Sequence, residues 1–231
     1  MKTGLTAVYS RFDASVAENS RPYARFGFTG KENLVGGMSA TIWLPKISVF
    51  GEASVSRSQG MAALAGIQFI PVPGALFLLT YRYFGLNYHN LHGSGYLSSG
   101  MNSNEKGLFF GTRIEFPGKW IAEFNADYSC SPWVRYSPDA PSRRYNIRCQ
   151  VEKCWQKTRF LALSFRYNDE TADDPVNAGP ANHPLGYSSF RFRLEGRIGL
   201  NDRIDLKSRV EYNISGANHP GMLIFQDVGI S

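Results

Sequence analysis

The segment 203–213 constrains the fold of this chain more than any other stretch of its sequence. Apolar and polar residues alternate through it without interruption: one set is Ile204, Leu206, Ser208, Val210 and Tyr212, and the other is Asp205, Lys207, Arg209, Glu211 and Asn213. A β-strand places successive side chains on opposite faces, so the pattern predicts one strand with an apolar face and a charged face. Its length of about eleven residues is unusual, because most strands in globular proteins have about 5–6.

The same alternation recurs at 120–129, 144–152 and 190–200, and the apolar faces of all four segments carry no charged residue. Membrane barrels turn apolar residues toward lipid and polar residues toward the lumen, in strands of about 9–11 residues. Strand length and charge density therefore favour this inverted arrangement. It predicts a charge network facing the lumen, formed by Glu123, Asp127, Arg144, Arg148, Glu152, Arg191, Arg193, Glu195, Arg197, Asp205, Lys207, Arg209 and Glu211.

Weaker alternation elsewhere, for example at 38–44 and 108–116, brings the expected total to about twelve strands, as in an antiparallel up-and-down barrel. Short connections at about residues 45–46, 71–74, 117–119, 153–158 and 201–202 alternate with connections that are mostly long. Outer-membrane barrels have this order, because their periplasmic turns are short and their extracellular loops are long. The fold expected for 1–231 is one all-β transmembrane barrel domain, with a large soluble all-β domain as the alternative.

Two sequence features predict that the barrel is incomplete at one or both ends and is a fragment of a larger one, with removal of the start by processing as the alternative. The chain enters strand-like sequence directly after Met1, without the apolar region of a signal peptide. A further strand begins after Gly221, and the chain then ends at Ser231 without a terminal aromatic residue.

The net charge of +6 and the pI near 9.3 could indicate nucleic-acid binding. A binding patch needs uncompensated basic residues on an exposed surface, whereas the strand charges here lie on the predicted lumen face beside opposite charges. We therefore expect this segment to bind no nucleic acid. A nearly balanced lumen also predicts a salt-bridged interior rather than a wide selective channel.

Three short segments resemble a set of Bacteroidota outer-membrane β-barrel proteins: 104–108 (NEKGL), 131–142 (SPWVRYSPDAPS) and 223–227 (LIFQD). In many of these proteins the barrel follows an N-terminal helix-hairpin-helix region of the competence-protein type. The resemblance covers the barrel portion only, and it implies a bacterial outer-membrane location with lipid as a partner. Nothing in this chain matches a helix-hairpin-helix, so no DNA-binding role is carried over.

Loop 131–142 is the best candidate for a contact surface among the long loops. It combines three prolines with Trp133, Arg135 and Tyr136. Proline stiffens a loop, and Trp, Tyr and Arg are enriched at binding hot spots. One interpretation is that this loop binds an envelope protein. The other is that it folds inward, with Trp133 capping the barrel and Arg135 paired inside.

Candidate chemistry is sparse, and no cofactor, metal or catalytic residue is expected. An outer-membrane hydrolase would have to use a pair such as His183 with Asp173 or Asp174, but solvated loop residues are the commoner explanation. The expected function is a structural or interaction component, or a narrow conduit, of the cell envelope. A pore for small solutes or DNA is the first alternative, and the hydrolase is the second.

Overall fold

In the part of the chain that the computed structural model describes, twelve β-strands account for almost all of the regular structure, and a 3₁₀ turn lies at Pro22–Ala24. The strands are β1 (Lys2–Val16), β2 (Gly30–Trp43), β3 (Ile47–Ser56), β4 (Met61–Phe69), β5 (Ala75–Phe84), β6 (Glu105–Phe116), β7 (Trp120–Ser131), β8 (Ser142–Gln156), β9 (Arg159–Ala172), β10 (Leu185–Gly199), β11 (Ile204–Ser215) and β12 (His219–Ile230). The structure describes residues 1–93, 95–98, 102–136, 141–156, 159–172, 185–199, 204–216 and 219–230.

All twelve strands belong to one sheet, in which their order from β1 to β12 is the order in the sequence. Each strand is antiparallel to its neighbours. The predicted all-β class and the up-and-down order are therefore confirmed. Among the described residues, β1 pairs only with β2 and β12 pairs only with β11, so the described sheet has two edges.

The pairing register keeps each face continuous across the sheet. It shifts at only two described places, between Arg11 and Val16 and between Cys154 and Gln156. Directly opposed residues of antiparallel strands point to the same side, so an apolar position on one strand meets apolar positions on its neighbours. One such row runs through Val151, Leu163, Leu194, Val210 and Ile224.

The connections follow the predicted order with two exceptions. We call the end with residues 44–46, 70–74 and 117–119 the short-turn end, and the end with 17–29, 85–104 and 132–141 the long-loop end. The sequence predicts that the connections at the long-loop end are mostly long; the connections at 57–60, with four residues, and at 216–218 are short, the second because β12 begins at His219 and not near Met222. Strand direction, rather than connection length, therefore defines the two ends.

Burial in this sheet is inverted relative to a water-soluble protein. The buried hydrophobic residues among those described are only Val35, Ala62 and Tyr88, whereas the buried polar residues include Arg82 and Glu105. Large apolar side chains on the opposite face are widely exposed; Leu163, for example, is 56% exposed. In the part of the chain that the structure describes, no helix is both long and apolar enough to span a membrane.

Candidate functional site: the polar inner face and its loops

Ion pairs cross the hairpin of β10 and β11 on the polar face, which we call the inner face. Arg193 Nε lies 2.8 Å from Glu211 Oε2, and Arg197 Nη2 lies 2.8 Å from Asp205 Oδ2. Glu195 forms ion pairs with two cations: its Oε1 lies 3.0 Å from Lys207 Nζ, and its Oε2 lies 2.9 Å from Arg209 Nε.

The register explains this pattern of charge pairing. Arg193 is directly opposed to Glu211, and Glu195 to Arg209, so these side chains meet across the hairpin. Arg197 is instead opposed to Lys207, and both avoid the like charge by pairing diagonally. The short-turn half of this hairpin is thus held by alternating opposite charges.

A second set of polar contacts lies on β6, β7 and β8. Arg113 forms an ion pair with the directly opposed Glu123, and it also contacts Glu115 at 3.3 Å. Glu152 accepts hydrogen bonds from Gln150 and from Cys154 Sγ. These contacts engage Glu123 and Glu152, two of the acidic residues of the predicted charge network.

The most deeply buried charges form what we call the outer cluster: Arg82, Ser98, Glu105 and Asp127, near the long-loop end. Arg82 donates from Nε to Glu105 Oε1 at 2.8 Å, and from Nη1 and Nη2 to the two carboxylate oxygens of Asp127 at 2.7 and 3.1 Å. Ser98 joins the two acids, because its amide donates to Glu105 at 2.9 Å and its hydroxyl to Asp127 at 2.8 Å. The side chains of Arg82 and Glu105 are each only 1% exposed.

Gly107 makes room for this arrangement. It is directly opposed to Arg82 on the neighbouring strand, and a β-carbon at Gly107 would overlap the guanidinium carbon. The absence of a side chain therefore lets the Arg82 guanidinium lie flat across β6 toward Asp127 on β7.

Two further arginines connect the outer cluster to the rim. Arg144 donates to the Ser98 carbonyl at 2.7 Å, and its guanidinium lies 2.7 Å from Glu170 Oε2. Arg135 Nη2 lies 3.6 Å from Glu105 Oε2, and the Arg135 side chain is only 15% exposed. Burial lowers the pKa of Arg135 below its ordinary value, and the Glu105 carboxylate opposes that change. An arginine remains charged under these conditions, so Arg135 contributes a buried cation.

Trp133 and Tyr136 meet the loop that follows β1, and we call this group of contacts the loop cap. The Trp133 indole Nε1 donates to the Pro22 carbonyl at 2.9 Å and packs edge-to-face on Phe26 at 5.1 Å. Tyr136 packs edge-to-face on Tyr23 at 5.4 Å and is 75% exposed. The contacts of Trp133 and Arg135 favour the interpretation in which this loop folds inward, while Tyr136 remains accessible from outside.

Asn104 and His89 fix other parts of the same end. Asn104 makes a reciprocal pair of hydrogen bonds with the Trp133 backbone, at 2.9 and 3.0 Å. His89 uses both ring nitrogens, with Ser58 Oγ at 2.9 Å and the Phe26 carbonyl at 2.8 Å. His89 is therefore engaged in positioning the loops.

Replacing Trp133 by alanine should loosen the loop cap without unfolding the sheet. The change removes one indole hydrogen bond and one edge-to-face aromatic pair, each worth about 0.5–1.5 kcal/mol. We expect faster proteolysis within residues 17–29, measured on the folded protein in detergent. Tyr136→Ala, which removes only an exposed aromatic pair, should have a smaller effect. Unchanged cleavage in the Trp133 variant would argue against the cap.

The remaining predicted residues, Arg148 and Arg191, lie beside a third arginine. Arg148 on β8 is directly opposed to Arg166 on β9, and Arg166 is directly opposed to Arg191 on β10. We call these three residues the arginine row. Counting charges along the sequence suggests near balance, but the register gathers three positive charges at one level of the inner face.

A cavity of about 430 Å³ lies on the inner face beside β3 and β4. Its lining includes Glu52, Ser54 and Leu64 from the strands and Tyr96 and Asn102 from the loop after β5. The loop thus lies over a space that is lined by both polar and apolar side chains.

No arrangement of metal ligands is found among the described residues. His183, Asp173 and Asp174, the candidate hydrolase residues, lie outside the described residues. Of the outer cluster, Asp127 belongs to the predicted charge network, whereas Arg82, Ser98 and Glu105 were not predicted as site residues. Segment 104–108 contains Glu105, but the predicted strand began only at Leu108.

The sequence matches no known family model, and no curated protein matches it. The basis for a functional assignment is therefore the inverted sheet, its inner-face charges and the loops that cover them.

Proposed function

We propose that this chain forms the wall of a transmembrane β-barrel in a bacterial outer membrane, acting as a structural or interaction component or as a narrow conduit. The observation that supports the proposal most strongly is the inversion of the sheet. Its apolar face is exposed, and its polar face carries buried ion pairs such as Arg82–Glu105. Lipid would cover the apolar face, whereas in water that face would remain an extensive hydrophobic surface.

Strand lengths and edges support the same proposal. The strands have 9 to 15 residues, enough to cross a bilayer when tilted. Unpaired backbone groups are costly in hydrocarbon, so both edges of the sheet must be paired in a membrane. Pairing of β1 with β12 would close a barrel of these twelve strands, and pairing with additional strands would widen it.

The loops on the inner face support a narrow rather than a wide passage. Tyr88, which is buried, accepts a hydrogen bond at its hydroxyl from Ser54 Oγ at 2.8 Å, so the loop after β5 contacts the inner face of β3. Ser98, from the same loop, is part of the outer cluster and accepts a hydrogen bond from Arg82 Nη2 at 2.7 Å. We propose that exposed loop side chains, including Tyr136, form the surface for an envelope partner.

Planar-bilayer recording on the folded protein tests the narrow passage. We expect small conductance from the native protein, because the loop after β5 fills space inside the barrel. Replacing residues 90–96 by a short Gly/Ser linker, with Ser98 retained, should increase the conductance. Large, steady and weakly selective conductance from the native protein would instead support a general solute pore.

The membrane assignment has its own test, which does not depend on conduction. In detergent gels the folded protein should migrate as a compact, heat-modifiable band, and it should insert into lipid vesicles. A folded circular-dichroism spectrum in buffer without detergent would contradict the proposal and favour a soluble sheet.

A pore for small solutes is the second candidate function. Two separate features of the inner face favour it: the cavity of about 430 Å³ beside β3 and β4 offers space, and the arginine row on β8, β9 and β10 offers positive charge.

A further inference from the structure

The arginine row lies near the middle of three neighbouring strands. Arg148 is the seventh of fifteen residues in β8, Arg166 the eighth of fourteen in β9, and Arg191 the seventh of fifteen in β10. Directly opposed side chains have Cβ atoms about 4.5–5.5 Å apart. The three guanidinium groups therefore start from adjacent positions and extend from the same face.

Such a row is unfavourable by itself, because like charges placed directly opposite each other destabilise a sheet. Its ends are polar but uncharged: Asn125 is opposed to Arg148, and Asn213 to Arg191. No carboxylate lies within ion-pair distance of Arg166 among the described residues, and Arg148 donates to the neutral amide oxygen of Gln150 at 2.8 Å.

Glu211 is the one described carboxylate that contacts the row, and it is shared. It lies 3.2 Å from Arg191 Nε and 2.8 Å from Arg193 Nε. The Arg191 contact has ion-pair distance without hydrogen-bond geometry, so the buried Nε of Arg191 has no hydrogen-bond partner among the described residues. The arginine row together with Arg193 thus places four positive charges beside one negative charge.

The other ion-paired cations of the inner face contact a carboxylate of their own or share one, as Lys207 and Arg209 share Glu195. Arg82 has Glu105 and Asp127, Arg113 has Glu115 and Glu123, and Arg197 has Asp205. The excess of positive charge at the arginine row is therefore a local feature of this part of the inner face. In a membrane barrel, charged residues that face the lumen tune the selectivity of the interior.

We propose that the arginine row binds a small oxyanion of the phosphate or carboxylate type on the inner face. The planar guanidinium group presents paired donors that match such anions bidentately. A bound anion would compensate Arg166 and supply an acceptor for the free Nε of Arg191. The inference deepens the proposed function, on which it rests, by identifying the class of solute that an enclosed inner face would hold.

The test compares phosphate with chloride on the full chain, folded in an uncharged maltoside detergent so that no lipid headgroup supplies phosphate. At matched ionic strength, sodium phosphate should raise the apparent unfolding midpoint above its value in sodium chloride. We expect a rise of about 2–4 °C once phosphate is several-fold above its Kd. Equal midpoints in the two salts would overturn the proposal.

Three variants locate the effect. R166Q should raise the midpoint in low salt, because it relieves repulsion, and should abolish the phosphate-specific rise. E211Q should enlarge that rise, because it removes the competing carboxylate. R57Q is the control. It removes the cation of an exposed ion pair with Glu32 near the rim, so it should retain the full phosphate-specific rise. Retention of the rise in R166Q would overturn the proposed site.

The outcome can be separated from that of the barrel proposal. Vesicle insertion without a phosphate effect would reject the anion site and leave the barrel intact. A phosphate effect without insertion would retain the site on the sheet and reject the conduit.

If R166Q does not fold, R166K and the native protein still test the site. The native protein must respond to phosphate, and R166K must respond more weakly because lysine lacks the planar fork of donors. Repeating the measurement with a phospholipid in the micelles would show whether headgroup phosphate competes for the same site.

Discussion

Replacing Arg82 by leucine is expected to lower the free energy of unfolding by about 3–5 kcal/mol, because it leaves buried acids without their cation. Glu105 and Asp127 would face each other across a site from which water is largely excluded, and the Glu105 side chain is 1% exposed. Ser98 would also lose its contact with Arg82, which holds the loop after β5 against the outer cluster.

Denaturant titration of the folded protein in detergent measures this effect. Arg113→Leu is the matched control, because Arg113 also pairs with two acids but its side chain is 43% exposed. Exposed ion pairs contribute only about 0–1 kcal/mol, so the control should lose much less stability. Neutralising the acids as well, in Arg82→Leu/Glu105→Gln/Asp127→Asn, should recover part of the loss. Equal losses at Arg82 and Arg113 would contradict the role assigned to burial.

Replacing Leu163 by arginine should cost about 2–4 kcal/mol of folding stability in a bilayer, the range for a cation on the lipid face near mid-depth. Leu163 is the fifth residue of β9, and a span of about 9–11 residues that begins at the short-turn end has its middle there. Its side chain is 56% exposed on the apolar face. An arginine there would have to be dehydrated by the acyl chains or distort the bilayer to reach water.

Asn146→Arg provides the control on the other face. Asn146 lies on the inner face, directly opposed to Asp127, so a new cation there meets water and a carboxylate. Equilibrium folding into vesicles should show a large loss for Leu163→Arg and a small one for Asn146→Arg. If the two variants lose the same stability, the apolar face does not contact lipid in the way proposed.

The strands and their faces could be predicted from the sequence wherever apolar and polar residues alternate clearly, because successive side chains of a strand point to opposite faces. β11 illustrates this: its predicted range, 203–213, and its observed range, Ile204–Ser215, nearly coincide. β2 was predicted to begin only at Met38, whereas it begins at Gly30. Gly36 and Gly37 interrupt the alternation there, so the periodicity gave no sign of the first half of the strand.

The inner-face site was predictable only in part, because alternation assigns a residue to a face but not to a level on the sheet. The ion pairs of the β10–β11 hairpin could be expected, since a short connection limits the possible registers. The row that joins Arg148, Arg166 and Arg191 spans three strands and depends on two registers at once. Ser98 lies in a long loop, where no periodic pattern indicates which side chain reaches the interior.

The hydrogen bond from Trp133 to Pro22 has a consequence for the order of folding. It joins residues 111 positions apart, from the loop after β1 to the loop after β7. Closing so long a segment of chain costs conformational entropy, and contacts between distant segments form slowly when little else holds them together. Pairing of β1 through β7 shortens that search by bringing the two loops to the same end. The environment of the Trp133 indole is therefore a marker of late assembly, after the first seven strands have paired.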